Sequence, residues 1–349
     1  MKHIPWPSIE QFRNVVKHVT HQTAYVGVDE NGEPIFDKSR KAPTLKFEGT
    51  VKLHGTNAGF ARSPNGEFWC QSRTNIITPM HDNAGFAMFI EGRKEIAESI
   101  IETTHIVTDR ADKTVIVFGE YCGGNIQKGV AISQLDKMFV VFGIALVDEY
   151  GNKDYLTAKQ VSSIMSGHTG NRYQIYNIWQ FQSFEVDIDF DQPHLIQNEL
   201  NELTKLVEEK CPVGFSFGIE GIGEGIVWRC VTPRYEDSVY WFKVKGEKHS
   251  NTKVKTLANV DVDRISDIQI LAHTLANNGR LEQGCQIVFD TLNGGEVDLK
   301  KMGDMIKWTM SDIFKEELDT IAASGFTGKD LNSPICKIVR DFVMSKLEF

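Results

Sequence analysis

The chain has 349 residues, 41% of them hydrophobic and 24% charged, with a formal net charge of −9 at pH 7. That length suits two domains, the composition is ordinary for a globular protein, and the acidic total argues against a surface coated with nonspecific nucleic-acid contacts. The longest clean apolar run, "MFVVFGIALV" at 138–147, is too short to span a bilayer.

In chain order, "MKHIPWPSIEQF" lacks the apolar stretch of a signal peptide. "LKFEGTVKL" alternates apolar and polar residues and reads as a strand, followed by "HGTN", a turn that Gly55 permits. "EFWCQSR" is a short aromatic strand after the turn signal "SPNG". "NAGFAMFIEGRKEIAESIIET" has helix spacing, with Phe86, Phe89, Ile90 and Ile96 on one face. "TVIVFGEYCG" and "MFVVFGIALVDEYG" are β-branched and aromatic runs that end in glycine, the pattern of buried strands. "LTAKQVSSIMSG" and "DQPHLIQNELNELTKLVEEKCP" read as helices, the second ending at Pro212. "EGIVWRCV" and "YWFKVKG" read as two further strands.

From residue 256 the texture becomes helical, with glycine and asparagine breaks, and the segment is net acidic. The boundary falls at about 250 to 258, giving a strand-rich domain over 1–250 and a helical domain over 256–349. Just before it, "WFKVKGEKHSNTKVK" carries Lys243, Lys245, Lys248, Lys253 and Lys255 against one acid, Glu247, and is the best candidate for meeting a polyanion. Six cysteines occur without a C-x-x-C pair, which points to reduced thiols, a cytoplasmic setting and no zinc site.

Lys52 raises the chemical question. A lysine amine is protonated at neutral pH, with an ordinary pKa of about 10.4. Desolvation or nearby cations favour the neutral amine and so make it a nucleophile. On its own stretch, a solvated loop lysine is the plainer reading. Taken singly, Glu120 and Glu224 are strand-end carboxylates, Phe142 is a core ring, and Lys243 and Lys245 are one face of an amphipathic strand. Their joint order is what carries weight. Serine-hydrolase and P-loop motifs are absent.

"KLHG", "SRTN", "FGEYCG", "FVVFGI", "EGIVWR" and "FKVKG", in that order, resemble the motifs of the covalent nucleotidyltransferases: ATP-dependent ligases and mRNA capping enzymes. K-x-H-G-T-N is similar to the RNA ligase 2 branch, which includes phage ligases and seals nicks in duplex RNA. The resemblance covers roughly residues 45 to 246.

It implies an α+β fold: a nucleotidyltransferase core of antiparallel sheets flanked by helices, then a small all-helical C-terminal domain. It implies an adenylyltransferase domain over 1–250, with Lys52 attacking the α-phosphate of ATP to form lysyl-AMP. Lys243 and Lys245 would favour the neutral amine and stabilise the phosphate in the transition state. Glu224 would position Mg²⁺ or Mn²⁺. Glu120 would accept from a ribose hydroxyl, Phe142 would stack on adenine, and Arg73 would hold phosphate or ribose. Asn57 belongs with the nucleotide and the later steps, and His54 with the later steps. The implied partner is RNA with 3′-OH and 5′-phosphate ends, met by a monomer away from membranes in the cytoplasm, the host's if the chain is of phage type. A DNA ligase, a capping-type enzyme and a non-catalytic RNA-binding relative stay open as alternatives. One departure stands out: Thr50-Val51 precede Lys52, where relatives often carry a glutamate directly before the lysine. Glu48 is near but out of register.

Overall fold

The structure is a computed structural model that describes residues 1–82, 84–124, 126–246 and 264–347. Two compact units divide the chain, Met1–Gly246 and Glu247–Phe349. Lys248, Lys253 and Lys255 of the basic stretch, and the expected boundary at 250 to 258, lie outside the described residues.

The first unit opens with β1 (Glu10–Gln11), α1 (Phe12–Ala24) and a hairpin of β2 (Tyr25–Val28) and β3 (Pro34–Phe36). Then come β4 (Thr44–Lys52), β5 (Thr56–Arg62), β6 (Phe68–Ser72), β7 (Ile76–Ile77), α2 (Phe86–Glu91), α3 (Lys94–Thr108), β8 (Thr114–Cys122) and β9 (Met138–Val147). The unit continues through β10 (Lys153–Tyr155), α4 (Ala158–Met165), β11 (Ile175–Asn177), β12 (Ser183–Asp189), α5 (Gln197–Glu209), α6 (Pro212–Ser216), β13 (Gly225–Cys230) and β14 (Phe242–Lys245).

Two sheets form the core. One has the order β1-β14-β13-β4-β12; the other runs β10-β9-β8-β5-β6-β7, with β11 also on β9. Most pairings are antiparallel, as expected, but β1 runs parallel to β14 and β11 parallel to β9, so the core is mixed. Alternation along β4 explains its two faces. Leu45, Phe47 and Val51 point into a core that also takes Val15 and Val19 of α1 and Leu200 and Val207 of α5. Lys46, Glu48, Thr50 and Lys52 share the other face. β8 and β9 are buried on both sides, which is why they read as unbroken apolar runs.

Two helical expectations are corrected. The residues from Phe86 to Thr103 form two helices, broken at Gly92 and Arg93. Glycine is a poor helix former, and Arg93 turns its guanidinium back onto the carbonyls of Phe89 and Tyr173. Over 191–212 the helix itself is only Gln197–Glu209, and Pro212 instead opens α6, where its missing N–H costs nothing.

The second unit is all helical: α7 (Arg264–Leu275), α8 (Asn278–Val288), α9 (Met302–Glu316), α10 (Leu318–Ala323) and α11 (Gly328–Ser345). Its core gathers Leu275, Leu281, Met305, Ile313, Ile335 and Val339. Arg280 is fully buried there, and its charge is met by Asp312 at 2.7 Å and Glu317 at 3.3 Å.

Candidate active site

Lys52 is the last residue of β4 in the first sheet, and Thr56 is the first of β5 in the second. Leu53 to Gly55 therefore carry the chain from one sheet to the other. "HGTN" is only half a turn, because Thr56 and Asn57 already belong to β5. The crossing is tight. A Cβ on Gly55 would stand 2.4 Å from the Tyr121 carbonyl oxygen and 2.7 Å from the Cys122 Cβ. The Gly55 N–H donates to Glu120 Oε1 at 3.0 Å, which ties the turn to β8.

Glu224 comes to the same place from β13. Gly225, next to it, pairs in register with Lys52 on one side and Lys245 on the other. No side chain fits there: a Cβ on Gly225 would lie 2.2 Å from the Val244 carbonyl oxygen. Glu224 is 3% exposed and is met by two lysines and a histidine. Lys52 Nζ donates to Oε2 at 2.7 Å, His54 Nδ1 lies 3.2 Å from the same oxygen, and Lys245 Nζ lies 3.3 Å from Oε1. Burial by itself would raise this carboxyl, but Lys52, His54 and Lys245 override it and hold Glu224 well below the ordinary carboxylate range.

Glu120 shows the opposite balance. Burial dominates and, with Glu224 nearby, pushes it up to about 7, against the opposing pull of Lys52, the Gly55 N–H and Arg73. Asn57 pairs directly across from Glu120, so both side chains share a face. Arg73 sits exposed in the turn between β6 and β7, at the same end of the sheet. Lys243 faces the same side as Lys245, opposite Val227 and Gln11. Phe142 lies at a bulge in β9, where Phe118 pairs with Gly143 and Gly119 with Val141, and its ring packs on Trp6 at 5.0 Å.

The structure thus brings Lys52, His54, Glu224 and Lys245 into one cluster, with Glu120 joined to it through Gly55. Val51 is buried on the far face of β4 and points away from Lys52. Thr50, not Val51, shares the lysine's face. Arg229 comes to this face as well, and none of the roles assigned from the sequence includes it. Alternation in "GIVWR" puts Gly225, Val227 and Arg229 on one face, and that period was the available signal. Its guanidinium donates to the Phe142 carbonyl at 2.6 Å.

The described residues hold no group of three or more histidines, cysteines or carboxylates suited to a closed metal site. A magnesium ion shared with phosphate oxygens needs only one or two carboxylates and water. Glu224, ionised and at the crossing, fits that donor set. None of the described helices is long and apolar enough to cross a membrane.

A family model described as RNA ligase matches residues 45–245. Among solved structures, a mutant Naegleria gruberi RNA ligase with ATP and Mn is 15% identical, with a TM-score of 0.44 over 70% of this chain and 57% of that one. Another mutant of that ligase, with AMP and Mn, is 16% identical, with a TM-score of 0.45 over 70% and 57%. The Naegleria gruberi RNA ligase with PPi is 16% identical, with a TM-score of 0.40 over 71% and 59%. The chain therefore spans less than two thirds of the length of these structures.

Proposed function

The chain belongs to the RNA ligase family, and we propose that it is an ATP-dependent ligase of the RNA ligase 2 branch that joins 3′-OH and 5′-phosphate RNA ends, with nicked duplex RNA as its substrate class. The observation that carries this reading is the Lys52 ammonium on the buried Glu224 carboxylate, with Lys245 on the other oxygen.

In the first step the Lys52 amine attacks the α-phosphorus of ATP. A nitrogen–phosphorus bond forms, the bond to the bridging oxygen breaks, and pyrophosphate leaves. Lys52 must first give up a proton to solvent, and Glu224 Oε2, which stays ionised, orients the amine at 2.7 Å. Lys243 and Lys245 add positive charge where the phosphate gains negative charge. Phe142 offers a face for the base, Glu120 an acceptor for a ribose hydroxyl, and Arg73 a forked donor for phosphate or ribose. Glu224 would hold magnesium or manganese, which would neutralise phosphate charge. AMP then passes to the RNA 5′-phosphate, and the 3′-hydroxyl attacks that end and releases AMP. Asn57 and His54 are assigned to these later steps, in which positioning and electrostatics carry most of the work.

The test has two arms. Incubation with labelled ATP and Mg²⁺ should give a covalent adduct on wild type and none on Lys52→Ala. Sealing should then be strongest on nicked duplex RNA in a panel with nicked DNA, hybrid and single-stranded ends. A wild-type protein that takes no label, after removal of any AMP already attached, would sink the reading. Preference for GTP would point to a capping-type enzyme, and preference for a DNA 3′-hydroxyl to a DNA ligase.

A further inference from the structure

Within the ligase reading, on which this rests, the departure at Val51 leaves the base without an obvious reader. We propose that Arg229, with Glu48 opposite it, reads the Watson–Crick edge of adenine, and that Trp6, Trp179 and Trp241 hold Arg229 in place for this.

Register sets the distance. Gly225 faces Lys52, Val227 faces Thr50, and Arg229 faces Glu48, all on one face of the sheet. Four residues of strand separate Glu48 from Lys52, about 13 Å at the rise of an antiparallel strand. An α-phosphate at Lys52 then puts the sugar and base over Val227 and Thr50, and the far edge of the base at Arg229 and Glu48.

The surroundings of Arg229 are unusual for a structural arginine. Its guanidinium carbon lies 4.4 Å from the Trp241 ring centre, 5.0 Å from Trp179 and 5.1 Å from Trp6. One nitrogen donates to the Phe142 carbonyl, so the arginine is fixed to the residue assigned to stack on the base. Nε is buried with no hydrogen-bond partner among the described residues. No described carboxylate forms an ion pair with it, although Glu48 is near enough to favour its charge. Burial brings Arg229 down to about 9, so it stays charged at neutral pH. Nε is buried without an acceptor while the residue keeps part of its surface open, so the group costs stability that leucine or methionine would not and is still within reach of a ligand. The cost makes sense where a ligand supplies the missing acceptor. Adenine offers one acceptor, N1, beside one donor, the exocyclic amine. Arg229 is a donor beside the acceptor Glu48, so the two edges are complementary.

The N-terminal segment builds this box. Trp6 packs on Phe142 and on Trp241 at 5.4 Å, and it occupies the space a side chain at Gly143 would need, 2.3 Å from that Cβ position.

The experiment compares nucleotidylation of the full chain by ATP and by 1-deaza-ATP, which keeps the amine but carries C–H in place of N1. Rates are read by intact mass at limiting nucleotide. Wild type should label about tenfold faster with ATP, the ratio expected for one hydrogen bond to a charged donor. Arg229→Met, shown folded by its melting curve, should label slowly with both and lose the preference. Equal wild-type rates overturn the proposal without any variant. So does a folded Arg229→Met that keeps the wild-type ratio. A wild type that forms no adduct with either nucleotide overturns the ligase reading, and this proposal with it.

Discussion

The Lys52 ammonium donates to Glu224 Oε2 at 2.7 Å, and the carboxylate that receives it is 3% exposed. Lys52, His54 and Lys245 keep part of their surface in solvent, at 23%, 30% and 31%. Glu224→Ala would therefore leave two partly solvated lysines and a histidine crowded together without their carboxylate. The expected stability loss is about 1–3 kcal/mol, below that for breaking a fully buried pair. Lysyl-AMP formation should fall by at least about 100-fold, the scale for removing a group that organises charge at the reacting phosphate. Urea unfolding and a labelling time course measure the two effects separately. A variant that labels at the wild-type rate would remove Glu224 from the chemistry.

Lys52→Arg asks whether charge or nucleophilicity matters at this position. Arginine can still donate to Glu224, so the fold should be kept within about 0.5 kcal/mol. The guanidinium stays protonated and cannot attack phosphorus. The expected result is a normal melting curve with no adduct by intact mass. An adduct on this variant would place the nucleophile elsewhere.

Gly55 tests the crossing between the sheets. Alanine there meets the Tyr121 carbonyl oxygen at 2.4 Å, and backbone has no rotamer by which to yield. We expect Gly55→Ala to cost about 2 kcal/mol or more, and to slow labelling because the Gly55 N–H to Glu120 bond is pulled out of line. Gly66 makes a useful control with alanine: its positive φ brings strain, but nothing stands near its Cβ position and it lies in a surface turn. Equal stabilities for the two variants would count against the steric argument.

Much of this site is legible in the sequence because its chemistry is borne by strand ends. β8, β9, β13 and β14 announce themselves through dense β-branched and aromatic residues, and Glu120, Glu224 and Lys245 sit at their tips. What is not legible is the partner of each tip. Only the register shows that Gly225 faces both lysines. α1 is hard to read because "FRNVVKHVTHQTA" is rich in valine, threonine and histidine, all weak helix formers, with only Val15 and Val19 fully buried. β5 hides behind a turn signal: Gly55 does make a turn, but the strand starts at once with Thr56. Nothing in "GIVWR" shows that the fold gathers three tryptophans from distant parts of the chain around Arg229.

Glu120 gives a pH signature. It is an acid raised to about 7 in the fold, chiefly by burial, from its ordinary 4.5. Between those values the folded state holds the proton and the unfolded state does not, so stability falls as pH rises through that window. Glu120→Gln should flatten that fall. Function runs the other way. On the proposed assignment a ribose hydroxyl bonds more strongly to the ionised carboxylate than to the neutral acid, so the KM for ATP in labelling should rise as pH drops below about 7. In Glu120→Gln the KM should be high at every pH. A wild-type KM that is flat between about pH 6 and 8 would contradict the assignment.

The salt response should separate the two proposed substrates, ATP and RNA. The chain as a whole is acidic, at −9, so RNA can be attracted only by a local basic face. Lys243, Lys245 and Arg73 lie at or near that face, and each phosphate they neutralise releases counterions. For about four phosphates in contact, RNA binding should weaken roughly 100-fold between about 50 and 200 mM salt. On the proposed reading ATP reacts as its magnesium complex, with about two net negative charges, so labelling of Lys52 should change much less over the same range. The prediction is a steep fall in sealing of nicked RNA at subsaturating substrate, beside a shallow fall in labelling. Sealing rates that barely move with salt would mean that stacking or shape, rather than charge, dominates the grip on RNA.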